Sequence, residues 1–235
     1  MRCDKIQIEG LSVIVPTFNE ADNIEEVVDR IENTIKLIEK REIIIVDDSS
    51  PDNTGKIAEN IRKKYGNMRI INRTGKRGLA SSIIDGMKNS DYDIVCVMDA
   101  DLQHPPEAIL EMIEKIQDGN ELVIASRYIK NGEIRGWSIT RKIISKGAVL
   151  LTRFLISSAR DVKDPMSGYF MLRKGNICYD NLNPIGFKIL LEIIHNIKCK
   201  KIEVPYIFMN RKKGKSKLSS KHYIEFLRQI VNIII

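Results

Sequence analysis

The sequence predicts an α/β domain, doubly wound, with a mostly parallel sheet and helices on both of its faces, and three observations predict it. Short apolar runs without polar alternation recur along the first two thirds of the chain, as strands buried on both faces require. Segments with apolar residues at helical spacing separate those runs. At 235 residues, with 43% hydrophobic and 29% charged side chains, the chain is long enough for one sizeable core.

Each element follows in order. Leu11 to Pro16 is the first strand, with Asn19 and Asp22 as candidate caps for a helix whose apolar face is Ile24, Val27, Val28, Ile31, Ile35 and Ile38. Ile43 to Val46 is a second strand, closed by the turn-rich run from Asp47 to Asp52, after which a helix follows. Met68 to Ile71, Ile94 to Met98 and Leu122 to Ala125 are three further strands, alternating with helices at Leu79 to Met87 and Pro106 to Ile116. The remainder changes character. Between Arg135 and Arg160 stand six basic residues and no acidic one, among apolar positions such as Ile139, Ile143, Leu150 and Phe154. That pattern predicts a basic amphipathic helix, which either lies in the interface of an anionic membrane or packs on the core with a solvated basic face. Tyr169 to Leu172 and Ile202 to Phe208 read as strands and Phe187 to Ile197 as a helix. A basic cluster from Arg211 to Lys221 then leads into a last helical pattern through Ile224, Leu227, Ile230, Val231 and Ile234. No repeat, low-complexity tract or linker appears, so residues 1–235 are read as a single domain.

Composition narrows the function classes. The formal net charge of +7 points to nucleic acid, an anionic membrane surface or phosphorylated substrates. Because the basic residues gather in the final hundred residues, beside apolar faces, while the predicted sheet rim is acidic, the nucleic-acid reading ranks last. Cys3, Cys96, Cys178 and Cys199 form no Cys-x-x-Cys pair, and His104, His195 and His222 are not at zinc-ligand spacing from them, so reduced structural thiols are expected. No stretch approaches a membrane span and the first residues lack an apolar signal core, which predicts a cytosolic chain. Glycine patterns for dinucleotide binding, the P-loop and the serine nucleophile elbow are absent.

In an open parallel α/β sheet, ligands collect outside the carboxyl ends of the strands. Those ends carry Pro16, Phe18, Asn19 and Glu20 after the first strand and Asp47 and Asp48 after the second. Asp99, Asp101 and Gln103 follow the fourth, and Arg127 the fifth. Asp99-Ala100-Asp101 is the sharpest piece, since two carboxylates at a strand exit, with a carbonyl from Gln103, suit Mg2+ or Mn2+ bridged to substrate phosphates. Solvated turn aspartates are the plain alternative for such a short motif. His104 beside two prolines reads as structural, and Trp137 as either an interfacial anchor or ordinary packing.

The runs Val13-Ile14-Val15-Pro16-Thr17-Phe18-Asn19-Glu20, Val46-Asp47-Asp48-Ser49-Ser50-Pro51-Asp52 and Met98-Asp99-Ala100-Asp101-Leu102-Gln103-His104-Pro105-Pro106 together resemble family 2 glycosyltransferases of the GT-A fold. Within that family the chain resembles the dolichol-phosphate (polyprenyl-phosphate) mannosyltransferases. Ser126-Arg127-Tyr128, the run from Arg141 to Ala148, Asp164-Pro165-Met166-Ser167-Gly168-Tyr169-Phe170, Asn183-Pro184-Ile185-Gly186-Phe187-Lys188 and Gly214-Lys215-Ser216-Lys217-Leu218 continue the resemblance over nearly the whole chain. It implies Pro16, Phe18, Glu20 and Asp48, with Asp99 and Asp101, for the nucleotide sugar. It implies Asp99, Asp101 and Gln103 for the metal, and Arg127, Arg141, Arg211 and Lys217 for the acceptor phosphate and leaving diphosphate, with Asp101, Arg127 and Arg141 as the catalytic set. Residues 1–130 would then hold donor and metal, and residues 131–235 acceptor and membrane interface. The implied reaction moves mannose from GDP-mannose to dolichyl or polyprenyl phosphate, with inversion, at the cytoplasmic membrane face. A UDP-sugar donor or a saccharide acceptor are the alternatives, the latter needing Asp164 or a neighbour as base. Two departures stand out: Phe18 where the family often has Tyr, and Ser49 within the Asp-Asp-Ser-Ser run. Many relatives continue into transmembrane helices after the position of Ile235, so the resemblance also implies either a small membrane-anchor protein as partner or a sequence cut before such helices.

Overall fold

The computed structural model describes residues 8–75, 78–183, 186–211 and 220–234, the last segment without side chains at 220–223. Five strands fall where the apolar runs predict them: β1 (Leu11–Thr17), β2 (Arg41–Asp47), β3 (Met68–Asn72), β4 (Ile94–Val97) and β5 (Leu122–Ser126). Among them lie α1 (Ile24–Ile35), α2 (Thr54–Arg62), α3 (Leu79–Lys88) and α4 (Ala108–Gln117). The second part adds β6 (Glu133–Ile134), α5 (Ile139–Leu155), β7 (Phe170–Arg173), α6 (Ile189–Asn196), β8 (Lys201–Pro205), β9 (Ile207–Phe208) and α7 (Ser220–Ile234).

Seven strands form one sheet in the order β3-β2-β1-β4-β7-β5-β8, and β6 pairs with β9 in a separate two-stranded ribbon. All pairings in the main sheet are parallel except those of β7, which runs antiparallel to both β4 and β5. The reversal has a direct consequence. Phe170, the first residue of β7, lies opposite Val97 and Ile124, near the carboxyl ends of their strands, so the segment from Asp164 to Tyr169 enters the sheet at the same rim.

Alternate β1 residues serve opposite faces. Leu11, Val13 and Val15 pack with Val27, Ile31, Ala58 and Ile113 from α1, α2 and α4. Ile14, with Ile44 and Val46, packs instead with Ile83, Met87, Leu190 and Ile193 from α3 and α6. Burying each such Val or Ile stabilises the fold by roughly 1.5–3 kcal/mol relative to exposure. At Gly86 of α3 the helix approaches the sheet so closely that a Cβ would stand 2.5 Å from Ile14 Cγ2 and 3.1 Å from Val46 Cγ2.

Three local expectations change. The first helix stops at Ile35, leaving Ile38 buried in the following turn, and it starts after Asn23 instead of Asn19 or Asp22. The Asn23 amide donates to Glu20 Oε2 at 2.7 Å, so it supports a carboxylate and caps no helix N–H. The apolar run from Ile202 to Phe208 breaks at Tyr206 into β8 and β9, because its second half leaves the sheet to pair with β6. In α5 only Val149 and Thr152 are buried, which removes the core-packing alternative for that helix. Ile139, Ile143, Leu150 and Phe154 stand 77%, 65%, 62% and 79% exposed.

Replacing Gly86 by alanine is expected to lower unfolding free energy by about 1–3 kcal/mol through overpacking, read as a lower urea midpoint with an unchanged slope. An unchanged midpoint would mean that the helix shifts away from the sheet at no cost.

Candidate active site

The carboxyl ends of β1 and β4 bring two carboxylates within reach of one arginine. β4 stops at Val97, so Asp99 to Gln103 lie in the turn beyond it, where Leu102 takes a positive φ of 62°. Asp101 Oδ1 accepts the Gln103 backbone N–H at 3.1 Å, which fixes the turn. Asp101 Oδ2 accepts from Arg211 Nη2 at 2.6 Å, and Arg211 Nη1 stands 3.9 Å from Glu20 Oε1. The β9 segment delivers that arginine: Met209 N–H donates to the Gln103 carbonyl at 3.2 Å, and Gln103 Nε2 donates back to the Met209 carbonyl at 2.9 Å. Residues 110 positions apart are thereby clamped together.

Asp99 sits beside this pair and is held from behind. Its backbone N–H donates to His104 Nδ1 at 3.0 Å, while the His104 ring stacks on Tyr169 with centroids 5.1 Å apart. Burial pushes the imidazole below its ordinary pKa despite Asp99 and Asp101 nearby, so His104 is neutral near pH 7, with its proton on Nε2. His104 therefore orients the turn. Burial also holds Asp99 above the ordinary carboxylate range; Asp101 adds to the effect, and His104, Lys188 and Arg211 oppose it. A carboxylate beside a second one, 36% exposed toward the cleft, is what a divalent cation would relieve.

The metal expectation fits this geometry in a specific form. Among the described residues no three His, Cys, Asp or Glu side chains form a metal-holding group. Two carboxylates and an amide oxygen nevertheless suit an ion that takes its other ligands from water and phosphate. Asp99, Asp101 and the Gln103 side-chain carbonyl would be the residues to hold Mg2+ or Mn2+ here.

Glu20 is buried and set in place by Asn23 and by its own N–H donating to Thr54 Oγ1 at 2.9 Å. Pro16 lies in β1 opposite Val46, and Phe18 is half-buried just beyond the strand. Asp48 is placed differently. Its oxygens accept from Arg73 Nη1 at 2.7 Å and from the Gly78 N–H at 2.8 Å, so it organises the start of α3 at the edge of the cleft.

Arg127 is turned inward. Its Nε and Nη2 donate to the two oxygens of Asp164 at 2.8 Å each, and its backbone N–H adds a third bond at 3.1 Å. Asp164 is fully buried. A carboxylate so enclosed and already paired is unsuited to act as a base. Arg141 is exposed on the first turn of α5, its guanidinium 4.0 Å from the Trp137 ring centre, and Trp137 in turn packs edge-on against Phe208. Trp137 is thus part of the site wall. Lys217 lies outside the described residues.

The structure also reveals Lys188, which stood in a quoted motif without a role. Its ammonium donates to the Met166 carbonyl at 2.8 Å. Burial first, then Arg127, pushes it down to about 8, against the opposing pull of Asp99 and Asp164. A lysine just before an apolar helix gave no signal of its own; only the entry of the 164–169 segment at this rim puts it near Asp99.

Comparison with known proteins follows the same line. Residues 12–178 match Glycosyl transferase family 2. The dolichol-phosphate mannosyltransferase of Pyrococcus furiosus is 46% identical over 95% of this chain, which spans 63% of that relative's length. The dolichol-phosphate mannosyltransferase of Saccharomyces cerevisiae is 34% identical, with 95% of this chain and 86% of the relative covered. Among solved structures, the mannosyltransferase PcManGT from Pyrobaculum calidifontis, in complex with GDP-Man and Mn2+, superposes with a TM-score of 0.66 at 16% identity, over 94% of this chain and 64% of that one. The mannosyl-3-phosphoglycerate synthase from Rubrobacter xylanophilus superposes with a TM-score of 0.69 at 16% identity, over 95% and 73%. At such identities the superpositions show the fold, which is that of GT-A glycosyltransferases.

Replacing Asp164 by alanine leaves a buried guanidinium unpaired and is expected to cost about 3–5 kcal/mol in urea unfolding. An Arg127→Met/Asp164→Leu double variant should recover most of that loss. A single variant as stable as the parent would mean that the pair is solvated in solution.

Proposed function

The chain belongs to glycosyl transferase family 2, and on that footing we propose that it transfers mannose from GDP-mannose to dolichyl or another polyprenyl phosphate with inversion at the anomeric carbon. The observation that carries the proposal is the convergence of Asp99, Asp101, Glu20 and Arg211 at one strand-end rim. The relatives named dolichol-phosphate mannosyltransferase support the acceptor, and the mannosyltransferase solved with GDP-Man and Mn2+ supports the donor and the metal.

Nucleophile and leaving group are both phosphates, already ionised near neutral pH, so the site needs no strong base. It needs alignment and charge neutralisation. A bound divalent ion, Mg2+ or Mn2+, supplies neutralisation of the donor diphosphate, and Asp99, Asp101 and Gln103 would hold it. Arg211, with Lys217, takes the charge that develops on the leaving diphosphate, which requires Arg211 to exchange its carboxylate partners for phosphate oxygens. Phe18 and Pro16 flank the nucleotide while Glu20 and Asp48 fix the walls around it. Arg141 receives the acceptor phosphate from the exposed start of α5, and Arg127 offers Nη1 while its other donors remain on Asp164. The buried, paired state of Asp164 disfavours a saccharide acceptor, which would need a base there.

The same reading places the protein peripherally on the cytoplasmic membrane face, with a small membrane-anchor protein as a potential partner. No helix among the described residues is long and apolar enough to cross a membrane. The exposed apolar side of α5 and the exposed Ile224, Leu227 and Val231 of α7 support contact with the interface instead.

Calorimetric titration with GDP, GDP-mannose, UDP and UDP-glucose, each with and without Mn2+, tests the donor. Binding of the guanine pair alone, dependent on Mn2+, is expected; a uridine preference would move the donor to a UDP-sugar. Asp101→Ala should lower metal-dependent turnover roughly 100-fold or more in a chain that still unfolds cooperatively, and full activity would remove the metal assignment. An Ile143→Ser/Phe154→Ser variant should float less with vesicles of zwitterionic lipid, whereas equal flotation would detach α5 from the membrane reading.

A further inference from the structure

Lys188 is a cation near the catalytic rim that the proposed reaction leaves without a task. It stands just before α6 with φ −110° and ψ 59°, outside the helical range, and it is fixed at both ends. Its carbonyl accepts from Gln229 Nε2 of α7 at 3.0 Å, and its ammonium donates to the Met166 carbonyl at 2.8 Å. The segment it grips is itself held. Glu203 accepts the backbone N–H groups of Lys163 and Asp164 at 2.8 and 3.0 Å, and Ser167 Oγ donates to the Ala125 carbonyl at 2.7 Å. Two residues past Met166, a Cβ on Gly168 would stand 3.3 Å from Asp99 Oδ2, so this stretch of backbone lies against the Asp99–Gln103 turn.

An ammonium has three N–H donors, and the Met166 carbonyl takes one. The other two have no partner among the described residues. No described carboxylate is paired with Lys188 either: Asp164 is given over to Arg127, with bonds of 2.8 Å on both oxygens, and Asp99 Oδ2 stands 3.7 Å from His104 Nε2. The ammonium is nevertheless close enough to Arg127, Asp99 and Asp164 for each to act on its charge. It therefore lies where the turn proposed to hold the donor's metal and the arginine proposed to meet the acceptor phosphate come together. The residue is half-buried, so its charge is screened less than that of a surface lysine.

Transfer to a phosphate brings two anions together, the attacking phosphate and the donor diphosphate, and their mutual repulsion grows as water leaves the site. A cation located where they meet opposes that repulsion. We propose that Lys188 is a substrate-contacting residue, whose two remaining N–H groups donate to the acceptor phosphate and hold it against the repulsion of the donor diphosphate. The inference deepens the acceptor reading above and rests on it. A merely structural residue at this position would need only the bond to Met166, which a neutral amide could supply without desolvating a charge.

Calorimetric titration of the full chain with geranyl phosphate, a water-soluble prenyl phosphate, in the presence of GDP and Mn2+ is the test. Lys188→Met and Lys188→Gln should each weaken geranyl phosphate binding roughly 10- to 100-fold, the range for hydrogen bonds to a charged group, while GDP with Mn2+ binds as it does to the parent. The glutamine variant separates the two roles, because it keeps a donor for the Met166 carbonyl and loses the charge. Geranyl phosphate affinity at the parent's level in that variant overturns the proposal, since it leaves Lys188 with the Met166 bond alone. Weakened binding of GDP with Mn2+ in both variants, in chains that still unfold cooperatively in urea, also overturns it by moving Lys188 to the donor side. A parent that binds GDP with Mn2+ but no geranyl phosphate overturns the acceptor reading and the inference together. A parent that binds both ligands, with both variants unchanged, overturns the inference and leaves the acceptor reading standing.

Discussion

A single reversed strand in an otherwise parallel sheet governs where this protein's chemistry can occur. If β7 ran parallel to β4 and β5, the chain before it would reach the sheet at the amino ends of those strands, and Asp164 would be remote from Arg127. Because β7 is antiparallel, residues 164–169 arrive at the carboxyl-end rim. Tyr169 then supports the ring of His104, and the Met166 carbonyl holds Lys188. Antiparallel insertion costs no hydrogen bonds, since β7 completes ladders on both sides. It concentrates on one edge the groups that a parallel crossover would have divided between two.

Charge balance at that edge depends on which ions are paired. The Arg127–Asp164 pair is enclosed and internally neutral, and it serves as structure around the site. Arg211 and Asp101 are less enclosed, and their pairing is open to exchange when a more highly charged ligand enters. The difference is one of degree in desolvation. Breaking the fully enclosed pair strands two charges, whereas Arg211, 20% exposed, keeps some contact with water when it leaves Asp101. A cation-bearing arm that follows β9 thus faces a carboxylate-bearing turn after β4, the contact that the proposed reaction requires substrate and metal to replace.

α5 divides its surface between two solvents. Its buried side amounts to Val149 and Thr152, its apolar side is open, and its flanks carry Arg141 beside Trp137 and Lys142, Lys146 and Arg153 along the cleft that Arg127 also lines. Such a helix gains little from packing on its own fold. Its exposed apolar side chains are the feature on which the proposed contact with a membrane interface rests.

The periodicity of the apolar residues determined the α/β class, the first five strands and the four helices among them, because burial on two sheet faces demands uninterrupted Val and Ile runs. That Asp99, Asp101 and Glu20 stand at strand ends was legible for a related reason: the strands themselves were plain, and the residues just past them were fixed with them. The direction of β7 was not legible, since Tyr169 to Leu172 is equally apolar in either orientation. Nor was the break at Tyr206, which depends on β9 finding β6 as a partner. The inward turn of Arg127 on Asp164, the stacking of His104 on Tyr169 and the bond from the Lys188 ammonium to Met166 are contacts between separate segments, set by strand order and register. Local pattern encodes which residues must be buried and which stand at strand ends; only the assembled sheet decides which of them face one another, because that choice is made by pairing partners that no single segment contains.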